Sequence, residues 1–331
     1  MSGEQTVNNE RTNVVSGMVL CGSKNIFTIR QDGIADRLEC RLKGKILKGA
    51  EGFYNPLAPG DRVRVQTDPD QPGAGMIIAL EERKNMFSRF NQKGGCSQLL
   101  AANIDQVLCI TTRQSPPFRP RFLDRVLLQA DIAGIPAIII CNKIDLDDGC
   151  EYEDRLDADE RLGDFNRIGY ELIEVSAKTG QGIDLLRQCI AGKRSVLTGQ
   201  SGVGKSSLLN ALVPGLGIRT GAINEKYDRG NHTTTLASMI EILEFETETC
   251  IIDTPGIRRF VPDGIDKDEL VVHLREFAPL AGKCTYGLSC SHRQEPGCKI
   301  MEAVDAGVIH EDRYESFLRI FDELAGKNNA D

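Results

Sequence analysis

A glycine-rich loop at residues 199–206 has the residue types and spacing that bind nucleotide phosphates. It reads Gly-Gln-Ser-Gly-Val-Gly-Lys-Ser and matches the pattern G-x-x-x-x-G-K-[ST] at every fixed position. The apolar segment 195–198 predicts a buried strand before it, and 207–212 predicts a helix after it. In that context glycines let successive backbone N–H groups face the phosphates, and the helix N-terminus adds positive potential. The expected phosphate-contacting residues are Gly199, Gln200, Ser201, Gly202, Val203, Gly204, Lys205, Ser206 and Ser207.

Two side chains of this loop have expected roles in chemistry. Lys205 is expected to reach the β- and γ-phosphates and so to act in catalysis, and Ser206 is expected to ligate Mg²⁺. A second phosphate-facing element is Asp-Thr-Pro-Gly at 253–256, which matches the D-x-x-G pattern of GTPases. Asp253, at the end of a predicted strand, would hold Mg²⁺, and the N–H of Gly256 would contact the γ-phosphate.

Two further elements could recognise a guanine base. Residues 142–145 read Asn-Lys-Ile-Asp and follow the apolar segment 137–141, which predicts a buried strand. The carboxylate of Asp145 can accept hydrogen bonds from guanine N1–H and N2–H, a donor pair that adenine lacks. A capped turn is the alternative for this tetrapeptide on its own. A triplet at 176–178 resembles the GTPase element whose backbone N–H meets guanine O6. The expected base-side residues are Asn142, Lys143, Ile144, Asp145, Ser176, Ala177 and Lys178.

The order of these elements is unusual, because the base-reading segment comes before the phosphate loop. A circular permutation produces this order and preserves the site, since chain termini lie at the surface and can be relocated. It also makes the chain after Gly256 continue directly into whatever unit follows. A loop that responds to the γ-phosphate could therefore act on a C-terminal domain.

The segment after 256 contains a predicted metal site. Cysteine, cysteine, histidine and cysteine occur within fifteen positions in the pattern C-x5-C-x-H-x5-C. Three thiolates and one imidazole suit a tetrahedral Zn²⁺ without an open position, so the expected role is structural. Ordinary buried cysteines are the alternative. The predicted zinc ligands are Cys284, Cys290, His292 and Cys298.

These motifs together resemble the RsgA (YjeQ) family of small ribosomal subunit-dependent GTPases over nearly the whole chain. The family also has a Gly-x-His-Thr-Thr-Thr element, which is present at 230–235. One departure is the spacing of the first two cysteines, where Thr285 to Ser289 make five residues and the family pattern has four. The resemblance implies GTP hydrolysis stimulated by the small (30S) ribosomal subunit, binding of its rRNA, and a role in late maturation of that particle.

The position that orients the attacking water in Ras-like enzymes is Ile257, which has no hydrogen-bonding group. Another residue must therefore orient the water, or hydrolysis is slow. The candidate is His232, which lies beside the three threonines expected to form the first switch. One of these threonines is expected to ligate Mg²⁺ in the GTP state, and Thr234 is the predicted ligand. An exposed loop histidine without a catalytic role is the alternative.

Hydrophobic periodicity and turn residues predict a multidomain chain. Five short strands, including the alternating segment 61–65, predict an N-terminal all-β barrel of the OB type. Alternating strands and helices then predict a central α/β P-loop GTPase domain with circularly permuted order and a mostly parallel sheet. A mainly α zinc-binding domain follows. The expected divisions are a flexible tail at 1–13, the barrel at 14–85, a linker at 86–102, the GTPase domain at 103–260 and the zinc-binding domain at 261–331.

Composition and charge limit the remaining possibilities. The first 13 residues lack an apolar signal region, and no apolar run reaches the roughly 18 residues of a membrane helix, so no membrane association is expected. Eleven cysteines beside a thiolate zinc site predict a reducing cytoplasm. Since no heptad or exposed apolar stripe requires a partner, a monomer is expected. The partners implied are GTP and GDP, with the small ribosomal subunit and its rRNA.

The formal net charge of −8 is unusual for an RNA-binding protein. The segment 145–164 carries ten acidic and two basic residues, which accounts for the excess and predicts a solvated loop and helix face. Two basic patches remain, and each is either an RNA-contacting surface or ordinary solvated charge. One is the set of seven basic residues within 37–64, and the other comprises Arg113, Arg119, Arg121 and Arg125 around Phe118 and Phe122.

Two functions of different class fit these residues. In the first, the chain is a GTP-hydrolysing assembly factor for the small ribosomal subunit. In the second, it is a GTP-dependent RNA-binding switch or chaperone whose hydrolysis is incidental and whose partner is not a ribosome. Ile257 keeps the second open at this point, because the sequence does not show how the attacking water is oriented.

Overall fold

The computed structural model describes residues 13–23, 25–34, 36–44, 48–149, 152–218, 237–254, 257 and 259–327. Five strands form an N-terminal barrel, and their bounds are β1 Val14–Ser23, β2 Ile26–Gln31, β3 Arg37–Leu42, β4 Arg62–Thr67 and β5 Ala74–Leu80. They pair in the closed order β1-β2-β3-β5-β4-β1, with only β3 and β5 parallel. This arrangement is the OB-type barrel that the sequence predicts.

The alternation in β4 has the expected result. Val63 and Val65 are fully buried in the barrel core with Ile29 and Ile77, while Arg64 between them is exposed. Successive strand residues point to opposite faces of the sheet, so this pattern places one face on the core and the other in solvent.

The segment 86–102, expected to be a linker, instead forms an antiparallel hairpin. Its strands are β6 Met86–Asn91 and β7 Cys96–Ala102. The polar, glycine-containing stretch that suggested a linker is only the turn, whereas Phe87 and 99–102 are buried. The barrel approaches this hairpin at Gly60, where φ is +92° and an added Cβ would lie 2.0 Å from the carbonyl oxygen of Ala102. Only glycine fits there without displacing the backbone.

A mostly parallel sheet follows, with the order β10-β9-β8-β11-β13-β12. All of its pairings are parallel except that between β12 and β13. The strands are β8 Gln106–Thr111, β9 Ala137–Asn142, β10 Glu171–Val175, β11 Arg194–Gly199, β12 Ser238–Ile242 and β13 Thr249–Asp253. A single pairing of Cys21 in β1 with Ser238 in β12 joins this sheet to the barrel.

Helices cover both faces of the sheet, the layering that alternating strands and helices favour. They are α1 Pro120–Ile132, α2 Tyr152–Arg167, α3 Ile183–Ile190 and α4 Lys205–Leu212. Alternate residues of β8 point to opposite faces: Val107 packs in the core cluster that contains α1 and α2 residues, and Leu108 packs in the one that contains α3 and α4 residues. Because β8, β9, β10, β11 and β13 run parallel, their carboxyl ends meet along one edge of the sheet, and ligands bind at that edge in such folds.

The C-terminal unit consists of short 3₁₀ turns and two helices, α5 Lys299–Asp305 and α6 Glu311–Lys327. Its core contains Phe277, Ile300, Phe317 and the three clustered cysteines, together with Leu128 of α1. The apolar residues of α6 thus pack onto their own domain. No helix within the described ranges is long and apolar enough to cross a membrane.

A buried ionic network attaches this unit to the GTPase-like domain. Arg313 of α6 donates to Asp124 of α1 at 2.7 Å and to Glu276 at 2.6 Å, and Arg161 of α2 lies 3.5 Å from Asp124. Arg161 and Arg313 are 1% exposed and Asp124 is fully buried. The acidic segment 145–164 is therefore not entirely a solvated face: Asp157 and Glu160 are exposed, but Arg161 is in the core.

Candidate nucleotide and metal sites

The phosphate loop lies between β11 and α4, as predicted. Gly202 and Gly204 adopt positive φ values of +88° and +93°, which L side chains rarely adopt. A Cβ on Gly204 would lie 2.5 Å from Nδ2 of Asn142, so this glycine is also required by the close approach of the base-side segment. The loop and 142–145 are therefore in direct contact.

Lys205 points back into its own loop. It is 7% exposed, and its ammonium donates to the carbonyl oxygens of Gly199 at 2.7 Å and Gln200 at 2.9 Å. Burial lowers the pKa of this ammonium, and the nearby carboxylate of Asp253 opposes the shift. Anionic phosphates would add negative charge beside this buried amine and so stabilise its charged form.

The side chain of Asn142 joins three of the predicted elements. It is 2% exposed, its Nδ2 donates to the carbonyl of Val203 at 2.9 Å, and its Oδ1 accepts from the backbone N–H of Ala177 at 3.1 Å. One buried amide thus connects the base-side segment, the phosphate loop and the triplet at 176–178. These stretches are far apart in the chain, and both hydrogen bonds are directional, so the three elements form one site.

Asp145 is held in place for base recognition. Its Oδ1 accepts from the hydroxyl of Ser176 at 2.6 Å, and its Oδ2 lies 3.7 Å from the ammonium of Lys178. The hydrogen bond from Ser176 is the main cause that lowers the pKa of the Asp145 carboxyl below its ordinary value of 3.8, with a smaller contribution from Lys178. The group is therefore an ionised acceptor at neutral pH.

The sequence did not predict that the loop after β8 would contact the nucleotide site. Lys143, at a positive φ of +68°, donates to the carbonyl of Gly202 at 2.7 Å and also to that of Ser115 at 2.8 Å. Ser115 precedes Pro116 through a cis peptide, and the Pro116 ring would contact a Cβ on Gly202 at 3.6 Å. The Ser-Pro-Pro sequence after a buried strand marks a turn, but nothing local shows that the turn lies against the phosphate loop.

Asp253 ends β13 beside Lys205. It is 3% exposed, and its Oδ1 has no hydrogen-bond partner among the described residues. Burial raises the pKa of this carboxyl to about 6, and Lys205 opposes the shift. A buried carboxylate oxygen without a partner, together with the buried hydroxyl at the start of α4, is the kind of oxygen donor set that Mg²⁺ prefers. The residues present therefore fit a magnesium ion, and Ser206, 9% exposed, is the adjacent hydroxyl.

The structure accounts for the position after D-x-x-G. Ile257 is 5% exposed and packs in the same core cluster as Phe260. Its side chain is therefore part of the core. His232, Thr234 and Gly256 lie outside the described residues.

The four predicted zinc ligands converge. Their ligand atoms all lie within 4.8 Å of one another, and all four residues are buried. Nδ1 of His292 lies 3.6 Å from Sγ of Cys284 and 3.5 Å from Sγ of Cys298, and these two sulfurs are 3.9 Å apart. Tetrahedral Zn²⁺ with bonds of about 2.3 Å to sulfur and 2.0 Å to nitrogen places ligand atoms roughly 3.5–3.8 Å apart, so the cluster fits the ion.

The longer spacing between Cys284 and Cys290 is absorbed locally. A short 3₁₀ turn, Gly287–Ser289, lies between them, with Gly287 at a positive φ of +55°. The backbone N–H of Lys299 donates to Sγ of Cys284 at 3.3 Å, as expected around a thiolate ligand. Cys284 thus belongs to the cluster despite the extra residue.

A scan against protein-family models matches residues 80–261 to the RsgA GTPase model. The chain belongs to the RsgA GTPase family. The "Small ribosomal subunit biogenesis GTPase RsgA" of Bacteroides fragilis is 36% identical over 320 residues, which cover 96% of this chain and 99% of that protein. The Thermotoga maritima protein of the same name is 35% identical over 311 residues, covering 94% of this chain and 97% of its own.

Solved structures agree with this RsgA assignment. The crystal structure of YjeQ from Thermotoga maritima matches with a TM-score of 0.70 at 31% identity, over 95% of this chain and 99% of that one. The crystal structure of YloQ, described as a circularly permuted GTPase, matches with a TM-score of 0.65 at 24% identity, over 97% and 98%. At 24% identity the comparison with YloQ supports the fold alone, which is that of a circularly permuted GTPase.

Proposed function

We propose that this chain binds and hydrolyses GTP and assists late maturation of the small ribosomal subunit, with hydrolysis stimulated by that particle. GTP binding is supported above all by the buried side chain of Asn142, which connects the base-side segment to the phosphate loop. Family membership and the names of the relatives, which call them small ribosomal subunit biogenesis GTPases, support the ribosomal part.

The proposed binding roles follow from the geometry. Residues 142–145 and 176–178 take the guanine, with Asp145 as the acceptor for N1–H and N2–H. Residues 199–207 take the phosphates through backbone N–H groups, with Lys205 exchanging its two carbonyl partners for phosphate oxygens. Ser206 and Asp253 hold Mg²⁺, which would neutralise charge on the phosphates. Thr234 and Gly256 are proposed from the sequence alone.

The zinc cluster is proposed to be structural. Its four ligands are buried, which fits a closed tetrahedral site without a position for substrate. It forms part of the same core as Phe317 of α6, and so holds the C-terminal unit in the shape that contacts α1.

The RNA-contacting surface is proposed to lie on the barrel. In the arginine patch near α1, Arg113 pairs with Asp159 and Glu174, Arg121 with Asp312 and Glu315, and Arg125 with Glu323. Those charges are largely compensated within the chain. On the barrel, Arg41, Lys43 and Arg64 are exposed and make no ion pair within the described part of the chain. These residues remain available to phosphate groups.

The proposal is tested by measuring GTP turnover under three conditions: protein alone, with purified small subunits, and with an unrelated structured RNA. The expected result is slow turnover that only the small subunit accelerates. Equal acceleration by the unrelated RNA would contradict the ribosomal role, and absence of turnover in all three would contradict the enzymatic one. The protein is further proposed to act as a cytoplasmic monomer, which sedimentation at working concentration and cell fractionation would check.

Ile257→Gln should not create a Ras-like enzyme. Because Ile257 is buried in the core, a Gln amide there would lose its hydrogen bonds, and we expect the free energy of unfolding to fall by about 2 kcal/mol. Turnover should not rise. Chemical denaturation and a single-turnover GTPase assay measure both effects, and Ile257→Val, expected to cost about 1 kcal/mol, is the control. A faster enzyme with unchanged stability would place this side chain in the site.

His232→Ala should lower subunit-stimulated hydrolysis at least about tenfold, which corresponds to roughly 1.4 kcal/mol of barrier. The reason is chemical: the apolar Ile257 leaves the attacking water without a partner at the usual position, and His232 is the candidate to orient it. GTP affinity should change little. Wild-type turnover in the stimulated assay would reject this role for His232.

A further inference from the structure

The β6–β7 hairpin forms hydrogen bonds to two parts of the molecule that its position in the sequence does not connect. On one side it meets the barrel. The backbone N–H of Tyr54 donates to the carbonyl of Ser97 at 2.7 Å, and Phe53 forms a parallel bridge with the same residue. The buried amide of Asn55 exchanges hydrogen bonds with the backbone of Leu99 at 2.9 and 3.1 Å.

On its other side the hairpin binds the chain that follows D-x-x-G. The backbone N–H of Phe90 donates to the carbonyl of Val261 at 2.9 Å, and Arg89 donates to the carbonyl of Arg259 at 3.2 Å. The rings of Phe87 and Phe260, both almost fully buried, lie 5.8 Å apart. Residues 259–261 are therefore fixed to the hairpin by backbone and side-chain contacts.

The side chain of Asp263 binds both strands of the hairpin. It is 8% exposed, and its two carboxylate oxygens accept from the hydroxyls of Ser88 and Ser97, each at 2.9 Å. Its backbone N–H donates to Oε1 of Gln129 in α1 at 2.7 Å. Hydrogen bonds to a carboxylate are among the stronger ones in proteins, and the buried side chain of Asp263 has little water to replace them.

Ser97 belongs to both sets of contacts. Its carbonyl accepts from Tyr54 of the barrel, while its hydroxyl donates to Asp263 of the segment that follows D-x-x-G. One path from the segment after D-x-x-G to the barrel thus passes through Ser97 and its two hydrogen bonds. On this path, a displacement of the segment after Asp253 would reach residues 53–60.

We propose that Asp263, Ser88 and Ser97 form a positioning clamp, through which the nucleotide in the site and the RNA-binding state of the barrel influence each other. The inference rests on the proposed function. It adds the route by which the barrel, rather than the C-terminal unit alone, responds to the γ-phosphate. Coupling of this kind is reciprocal, so RNA on the barrel changes nucleotide affinity by the same factor as nucleotide changes RNA affinity.

The test is amide hydrogen exchange of the full chain with GDP and with a non-hydrolysable GTP analogue. The variants are Ser97→Ala and Asp263→Asn. Ser97→Ala removes only the hydroxyl contact and leaves the carbonyl available to Tyr54, so this variant is expected to fold. Thermal unfolding measures whether each variant is folded. If Asp263→Asn is unstable, the result for Ser97→Ala tests the inference by itself. The matched control is Ser16→Ala, whose half-buried hydroxyl contacts Glu81 within the barrel unit.

In the wild type, exchange at residues 53–60 should differ between the two nucleotides by at least about threefold. The difference should disappear in both clamp variants and persist in Ser16→Ala. The inference is overturned if the phosphate loop is protected by both nucleotides while 53–60 does not distinguish them, or if Ser97→Ala keeps the wild-type difference. A phosphate loop that neither nucleotide protects would instead reject the proposed function, and the inference with it.

Discussion

Replacing Asp145 with Asn should change the base preference from GTP to xanthosine triphosphate. The carboxylate is held by Ser176 and Lys178 with its pKa lowered, and is therefore an ionised acceptor for guanine N1–H and N2–H. The N–H₂ group of an Asn side chain would face guanine N–H groups, so two donors would meet without an acceptor. GTP affinity should therefore fall about a thousandfold, or roughly 4 kcal/mol. Xanthine carries a carbonyl where guanine carries the amino group, and the new amide can donate to it.

Competition binding with GTP, ATP and xanthosine triphosphate measures the change. Asp184→Asn is the matched control, because Asp184 is an exposed carboxylate in the first turn of α3 and lies outside the proposed base site. It should keep the wild-type preference. If Asp145→Asn also keeps that preference, the base does not bind at 142–145.

Replacing Cys298 with Ser should remove zinc and loosen the C-terminal unit. Cys298 is 2% exposed and packs in the same core as Phe277 and Phe317, so loss of the ion leaves polar groups inside an apolar cluster. We expect the stability of this unit to fall on the order of 5 kcal/mol, as is common when a structural metal is lost. Metal analysis should give one zinc ion per wild-type chain and none in the variant.

The control for that experiment is Cys96→Ser, which changes a half-buried cysteine in β7 outside the cluster. It should retain zinc and the thermal unfolding profile of the wild type. Limited proteolysis should cut Cys298→Ser within 267–327 and leave Cys96→Ser intact. A zinc-free wild-type protein with an intact C-terminal unit would contradict the structural role of the ion.

Elements specified by local pattern were predicted well from the sequence. The predicted alternation of strands and helices is present, with α1 at Pro120–Ile132 between β8 and β9, and the alternating segment 61–65 lies at β4. The phosphate loop, the base-side segment and the zinc cluster have fixed residue types at fixed spacing, and the structure brings each set together. Permutation does not affect this, because each motif is complete within a short stretch.

Features that depend on distant partners were not predictable. The turn of the β6–β7 hairpin resembles a linker, and residues in the strands on either side of it are buried through distant contacts such as that between Phe87 and Phe260. The arginines near α1 resemble an RNA surface until α6 places Glu315 and Glu323 beside them, nearly two hundred residues later. Local sequence does not record such long-range pairs.

A crystal structure with a non-hydrolysable GTP analogue and Mg²⁺ tests the central claim most directly, namely that segments in permuted order bind one ligand. We expect the guanine N1 and N2 atoms within hydrogen-bond distance of the Asp145 carboxylate while the phosphates lie in the loop at 199–206. A purine bound away from Asp145, with the phosphates still in that loop, would contradict it.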